Sequence, residues 1–192
     1  MKYICVYCGS NPGNQPEYTQ MAKSLAQTLV DHDLGLVYGG AKIGIMGTIA
    51  DTVLEKGGEV IGVMPQSLVD REVAHPGLTR LEVVSSMHER KALMAKLSDG
   101  FIALPGGIGT LEEIFEVLTW AQLGFHRKPC GLLNVKGYYD HLTTFLDHVT
   151  EEGFVQPVHR AILMSESDPQ TLITAFKDYQ APLTTTKWLG RK

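Results

Sequence analysis

The chain has 192 residues, of which 44% are apolar and 20% charged, as in globular proteins large enough to bury a substantial core. Its formal net charge of −4 excludes the strongly basic surface that is typical of nucleic-acid-binding proteins. No apolar run reaches the length of a membrane span, and three cysteines argue against a disulfide framework. We therefore expect a cytoplasmic protein with neither a nucleic acid nor a membrane as its partner.

Short β-rich segments alternate with longer segments of helical periodicity. In chain order, the pattern predicts a strand at 3–7, a helix at 17–32, a strand at 34–40, a helix at 45–58, strands at 59–65 and 80–86, a helix at 87–100, a strand at 101–107, a helix at 110–124, a strand at 130–135, and helices at 138–153 and 168–179. This alternation predicts one α/β domain over residues 1–192, a doubly wound parallel sheet with helices on both faces. We expect the polar segment at about 181–192 to be a tail.

Glycine and polar residues crowd the loops that follow five of the predicted strands. These loops are "CGSNPG", "YGGAKIGIMG", "MPQSLVDRE", "SSMHERK" and "LPGGIGT". In doubly wound sheets, ligands bind beyond the carboxyl ends of the strands, so the five loops predict a single ligand site. Gly9 and Ser10 supply a small polar turn after the first strand, and Gly40 belongs to a glycine-rich turn after the second.

The most informative loop is "PGGIGTLEE", at residues 105–113. Gly106, Gly107 and Gly109 permit a tight turn and a close approach to a ligand, and the free N–H groups at the start of the following helix favour a phosphate. The loop is not a P-loop, and it is not a dinucleotide fingerprint because Glu112 stands where that motif needs glycine. The pattern predicts one phosphate on the backbone amides, with the acids acting further along the ligand.

Two interpretations of these acids stay open from the motif alone. Thr110 and Glu113 have the spacing of a capping box, in which the glutamate would only cap the helix. Glu112 suits the first helical turn as a solvated acid. Glu116 lies one turn beyond Glu113, where it either flanks the ligand or is exposed.

Arg90 and Lys91 fall early in a predicted helix, where cations are mildly unfavourable. An anionic ligand or a carboxylate partner would explain them, and Arg90 has the geometry to bind a carboxylate or phosphate bidentately. The alternative is a solvated helix face. Glu72, between the third and fourth strands, either binds a hydroxyl group or is a solvated charge. No set of Cys and His residues has zinc-ligand spacing, so we predict no metal site.

Together, "PGGIGTLEE", "SMHERK" and "YGGAKIGIMG" resemble the Lonely Guy family of nucleotide phosphoribohydrolases in order and spacing. Residues 105–113 match the family pattern P-G-G-x-G-T-x-x-E at every fixed position, and the match covers about residues 1–124. The resemblance implies a Rossmann-like fold, a homodimer and, without any cofactor, hydrolysis of cytokinin riboside 5′-monophosphates or AMP to the free base and ribose 5-phosphate. Some members carry a lysine decarboxylase label, which does not follow from these motifs.

The resemblance also implies roles for individual residues. Arg90 and Glu113 match the family's catalytic positions, and Arg90 is expected to orient Glu113 and keep it ionised. The carboxylate would then stabilise positive charge on the sugar or activate a water molecule. The residues expected to contact the nucleotide are Gly9, Ser10, Gly40, Glu72, Met87, Lys91, Gly106, Gly107, Ile108, Gly109, Thr110, Leu111, Glu112, Glu116 and Thr119.

Other functions on the same fold stay open. A non-enzymatic carrier of a nucleotide or of molybdenum cofactor, or a nucleotide sensor, would keep the glycine turns but would not need both Arg90 and Glu113. The sequence does not distinguish adenine from an N6-prenylated adenine as the base.

Overall fold

The computed structural model of the chain describes residues 1–71 and 73–182. Within these residues it contains seven strands, β1 (Tyr3–Tyr7), β2 (Gly35–Tyr38), β3 (Val60–Pro65), β4 (Arg80–Val84), β5 (Gly100–Ala103), β6 (Cys130–Leu133) and β7 (Leu163–Glu166). The helices of the same residues are α1 (Pro16–Asp31), α2 (Gly44–Glu55), α3 (Gln66–Val69), α4 (Met87–Leu97), α5 (Ile108–Gln122), α6 (Asp140–Glu151), α7 (Pro157–Arg160) and α8 (Pro169–Asp178). A short 3₁₀ turn covers Val135–Gly137.

The strands form one parallel sheet in the order β4-β3-β2-β1-β5-β6-β7. The chain first winds outward from β1 to β4 and then outward in the opposite direction from β5 to β7. In such sheets the reversal opens a crevice at the carboxyl ends of the two central strands, where ligands bind. Here the loops after β1 and β5 are joined directly, since the Gly9 N–H donates to the Pro105 carbonyl at 3.2 Å.

Side chains that alternate along β1 separate the core into two layers. Ile4 and Val6 pack with α1, α2 and α8 on one face, and Cys5 and Tyr7 pack with α4 and α5 on the other. A strand buried on both faces is apolar almost throughout, which explains the run "YICVY". The predicted doubly wound, Rossmann-like sheet with helices on both faces is confirmed.

Several features of the fold differ from the sequence-based predictions, among them the short helices α3 and α7, which were not predicted. The pattern missed β7, because this edge strand has four residues and only Leu163 among them is buried. The helix predicted to start at Thr110 begins at Ile108, with Gly107 as its N-cap and no side-chain cap. The capping-box interpretation of Thr110 and Glu113 is therefore wrong. In the predicted tail, residues 183–192 lie outside the described residues.

Among the helices of the described residues, none has both the length and the apolar character that crossing a bilayer requires.

Candidate active site

An open cleft of about 340 Å³ lies at the reversal between β1 and β5. Its walls come from the ends of β1 and β2, from the glycine turn after β5, and from helices α2, α4 and α5. The residues that line it are Val6, Tyr7, Cys8, Gly9, Ser10, Gly39, Met46, Arg90, Gly107, Ile108, Gly109, Thr110 and Glu113. The volume falls within the range of small-molecule binding sites.

Arg90 projects from α4 into the base of this cleft and is held on three sides. Its Nε donates to the Val63 carbonyl at 3.0 Å, and its Nη1 donates to Glu113 Oε1 at 3.0 Å. Its Nη2 lies so close to Gly39 that a Cβ added there would be 2.1 Å away. The fixed guanidinium therefore presents Glu113 in one orientation.

Glu113 is a largely buried carboxyl, with 12% of its side chain exposed, and its charge is stabilised only in part. Burial raises the pKa of Glu113 above its ordinary value, and the charge of Arg90 opposes that rise without cancelling it. Arg90 favours the ionised form of Glu113, as expected, but burial has the larger effect on the pKa of this carboxyl. A carboxyl whose pKa is shifted toward neutrality is better suited to proton transfer at neutral pH.

The glycine turn presents backbone rather than side chains to the cleft. Apart from the adjoining residues and the backbone of α5 itself, no heavy atom of the described residues lies within 4 Å of a Cβ added at Gly107 or Gly109. A Cβ at Gly106, in contrast, would lie 2.1 Å from Thr110 Oγ1 and 2.8 Å from the Gly9 nitrogen. The first N–H groups of α5 have no partner within the helix, so the turn offers backbone donors to an anion.

Lys91 forms a second ionic cluster beside the cleft. Its Nζ donates to Glu112 Oε1 at 2.5 Å and to Glu116 Oε1 at 3.0 Å. The hydrogen bond to Glu112 is the largest of the effects that raise the pKa of Lys91. The two adjacent acids of the glycine motif therefore pair with different cations, Glu112 with Lys91 and Glu113 with Arg90.

A loop after β3 fastens the turn that follows β2. The Lys42 N–H donates to the Val73 carbonyl at 3.0 Å, and the His75 N–H donates to the Gly40 carbonyl at 2.9 Å. The His75 ring is buried and lies 2.8 Å from Asp51 on α2, through Nε2. These bonds hold the turn that contacts Arg90.

The structure brings together six of the fifteen residues expected to contact the nucleotide. Those that line the cleft are Gly9, Ser10, Gly107, Ile108, Gly109 and Thr110, together with Arg90 and Glu113. The other expected residues that the structure describes do not line the cleft. Gly40 follows Gly39 with a φ of +82°, Gly106 lines a neighbouring pocket, and Leu111 packs on the core. Met87 and Thr119 are exposed, and the ionic cluster contains Lys91, Glu112 and Glu116. Glu72 lies outside the described residues.

Five lining residues were not among the site residues predicted from the sequence. Val6 and Tyr7 are the last two residues of β1, Cys8 and Gly39 directly follow β1 and β2, and Met46 lies in the first turn of α2. Their positions at the carboxyl ends of central strands were the available signal. For Tyr7 and Cys8 this positional signal is hard to recognise, because both residues also belong to the apolar core.

The fold and the cleft define a class, namely Rossmann-like α/β proteins with a glycine turn and a helix N-terminus at the reversal point of the sheet. A family profile described as "Possible lysine decarboxylase" matches residues 46–176. The chain is 51% identical over 178 residues to a cytokinin riboside 5′-monophosphate phosphoribohydrolase of Arabidopsis thaliana, which covers 93% of this chain and 84% of that protein. It is 49% identical over 177 residues to the protein of that name from Rhodococcoides fascians, with 92% and 89% covered. The chain belongs to the Lonely Guy family of cytokinin riboside 5′-monophosphate phosphoribohydrolases.

Solved structures with a similar fold are more distant in sequence. A molybdenum cofactor binding protein from Rippkaea orientalis superposes with a TM-score of 0.70 at 22% identity, covering 92% of this chain and 96% of the other. The molybdenum cofactor carrier protein of Chlamydomonas reinhardtii gives 0.69 at 21% identity, with the same coverage. At these identities the likeness shows the fold alone.

Proposed function

We propose that this protein hydrolyses the N-glycosidic bond of nucleoside 5′-monophosphates, releasing the free base and ribose 5-phosphate. The observation that carries the proposal is the largely buried Arg90–Glu113 pair, which lines the same cleft as the glycine turn. The curated relatives at about 50% identity carry the name of this activity. The substrates we propose are cytokinin riboside 5′-monophosphates and AMP.

The glycine turn is the proposed seat of the 5′-phosphate. The first N–H groups of α5 and the positive end of the helix dipole attract an anion. Gly107 and Gly109 leave the backbone uncovered, and Gly9 and Ser10 face the turn from the end of β1. Phosphate contacts at this rim would place the sugar of the nucleotide over Glu113.

Glu113 is the proposed catalytic residue at the sugar. Breaking the N-glycosidic bond builds positive charge on the ribose, and a nearby carboxylate stabilises that charge, as in glycoside hydrolysis. The same carboxylate can accept a proton from the water that attacks the sugar, and its raised pKa makes it a stronger base. Arg90 orients it from below through Nη1.

A carrier of nucleotide or molybdenum cofactor is the less favoured function. Such a protein needs the glycine turns but has no use for a buried carboxyl at the position of the sugar. The carrier proteins named above share the fold at 22% identity or less, whereas the phosphoribohydrolases share about half of the residues.

The experiment that tests the proposal is a product assay on the purified protein. AMP and isopentenyladenosine monophosphate are incubated separately, and the free base is separated by chromatography. Release of adenine or isopentenyladenine with an equal amount of ribose 5-phosphate supports the proposal, and the ratio of the two rates identifies the preferred substrate. Tight binding of AMP without any release of base would favour a carrier or sensor.

We further propose that the protein is a homodimer that uses the outer faces of α4 and α5. Met87 at the start of α4 and Leu123 and Phe125 at the end of α5 are large apolar residues that stay exposed, Phe125 by 74%. Exposed apolar residues of this size are typical of interaction sites. Sedimentation at micromolar concentration should give the mass of a dimer, and the substitution Phe125→Ser should shift it toward the monomer. A wild-type monomer would contradict this proposal.

We also propose that the protein is located in the cytoplasm, which is a reducing compartment. Cys5, Cys8 and Cys130 are free and buried, and burial raises the pKa of Cys5 and of Cys130 to about 12. Buried, protonated thiols of this kind are unreactive, and free cysteines are typical of proteins in a reducing compartment.

A further inference from the structure

Three consecutive carbonyls of the glycine turn are occupied by donors from inside the protein. The Leu104 carbonyl accepts a hydrogen bond from Tyr139 Oη at 2.7 Å, and the Pro105 carbonyl accepts one from the Gly9 N–H at 3.2 Å. The Gly106 carbonyl accepts one from Tyr138 Oη at 2.6 Å. Two adjacent tyrosine hydroxyls therefore fix the direction of two peptide groups in the turn.

The Tyr138 bond determines where the next N–H points. A trans peptide is planar, with its C=O and N–H directed to opposite sides. Tyr138 lies in a pocket of about 190 Å³ behind the turn, which shares Gly9, Ser10 and Gly107 with the cleft. With the Gly106 carbonyl held toward that pocket, the Gly107 N–H is directed to the opposite side, into the cleft.

The turn needs such an external constraint because its own residues do not supply one. A Cβ at Gly106 would collide with Thr110 Oγ1, so the position requires glycine, and Gly107 follows it. Two successive glycines leave the peptide between them free to rotate at little cost. A hydroxyl on the carbonyl side removes that freedom without adding bulk on the ligand side.

Tyr138 is 42% exposed, and the rest of its ring is packed on neighbouring aromatic residues. Its ring packs edge-to-face on Tyr139, with centroids 4.9 Å apart, and on Tyr18, with centroids 5.7 Å apart. The 3₁₀ turn that precedes it is tied to α1 by an ion pair of 2.8 Å between Lys136 and Glu17. The hydroxyl is therefore placed by contacts that do not involve the turn.

We propose that Tyr138 is a positioning residue that aims the Gly107 N–H at the 5′-phosphate of the substrate. This inference rests on the proposed seat of the phosphate at the glycine turn. Tyr138 contacts the turn from behind and never the reacting atoms. Its effect should therefore fall on affinity for phosphate-bearing ligands and on KM rather than on the chemical step.

The test compares Tyr138→Phe with Tyr18→Phe, a matched loss of one hydroxyl from the ring packed against it. Kd values for AMP and for inorganic phosphate are measured by calorimetry, together with kcat and KM for the preferred nucleotide and the melting temperature. In Tyr138→Phe we expect Kd and KM to rise about tenfold, the effect of losing one well-placed hydrogen bond, with little change in kcat or melting temperature. Tyr18→Phe should behave as the wild type.

Several outcomes would overturn the inference. These are an unchanged phosphate affinity in Tyr138→Phe, an equal loss in Tyr18→Phe, a Tyr138→Phe protein that unfolds under assay conditions, or a wild type that binds neither AMP nor phosphate. The binding titrations do not depend on turnover. A wild type that binds AMP but releases no base would therefore contradict the proposed function while the titrations still decide the role of Tyr138.

Discussion

Arg90 and Glu113 face each other across the gap between α4 and α5, with 3.0 Å between Nη1 and Oε1 and only 10% and 12% of their side chains exposed. A buried ion pair is weak evidence for stability, because desolvation of both charges offsets their attraction. Its position at the base of the cleft, with Arg90 also bonded to the Val63 carbonyl, is consistent with a catalytic role instead.

The substitution Glu113→Gln should reduce kcat by at least about 10²-fold, the usual contribution of a single positioned proton-transfer group. The amide oxygen can still accept from Arg90, so the fold and nucleotide binding should survive. The matched control is Glu112→Gln, because Glu112 is half exposed and pairs with Lys91. If both variants lost the same activity, the assignment of separate roles to the two adjacent acids would be wrong.

The pH dependence of kcat/KM should report the ionisation of Glu113. Because burial raises the pKa of this carboxyl, the acidic limb should lie above the ordinary glutamate value of about 4.3. Arg90 opposes the rise, so Arg90→Met should move the limb to still higher pH, with Arg90→Lys between the two. A limb in Arg90→Met at or below that of the wild type would exclude Glu113 as the titrating group.

Two glycine-to-alanine variants should separate orientation of the catalytic pair from substrate binding. In Gly39→Ala the added Cβ would meet Arg90 Nη2 and displace the guanidinium, so kcat should fall by about 10²-fold, as for other small misplacements of catalytic groups. In Gly107→Ala no described atom obstructs the Cβ, so the melting temperature should hold while KM rises. Steady-state kinetics on both variants check this, and a Gly39→Ala enzyme with full kcat would contradict it.

We expect the His75 ring to stabilise the loop after β3 and not to take part in catalysis. His75→Leu removes the hydrogen bond to Asp51 and the one that Nδ1 accepts from the Gly77 N–H, which should lower the free energy of unfolding by about 1–2 kcal/mol. Trypsin should then cut after the exposed Arg71 faster than in the wild type. Equal cleavage rates would show that the backbone bonds alone hold the loop.

The sequence predicted the sheet well because strands buried on both faces are apolar throughout and are separated by clear helical periodicity. It missed β7, an edge strand with one buried residue, because edge strands carry little of that signal. The glycine turn was predicted from its motif at a strand end, and the catalytic roles of Arg90 and Glu113 were predicted from the resemblance to a known family.

Features that depend on tertiary contacts could not be predicted. The capping interpretation of Glu113 followed from local spacing alone. The pairing of Glu113 with Arg90 was expected only from the family resemblance, because the two residues are 23 positions apart. The separate pairing of Glu112 with Lys91 is invisible in the sequence for the same reason. Tyr138 lies 32 residues beyond the carbonyl that it binds, and no local pattern connects the two.

The most direct test of the central claim is base release by the wild type and by Glu113→Gln under identical conditions, with AMP affinity measured for both. We predict free base from the wild type, loss of nearly all of it in the variant, and similar Kd values for AMP. Full base release by Glu113→Gln, or none by a wild type that binds AMP, would contradict the claim that Arg90 and Glu113 form the catalytic centre of a phosphoribohydrolase.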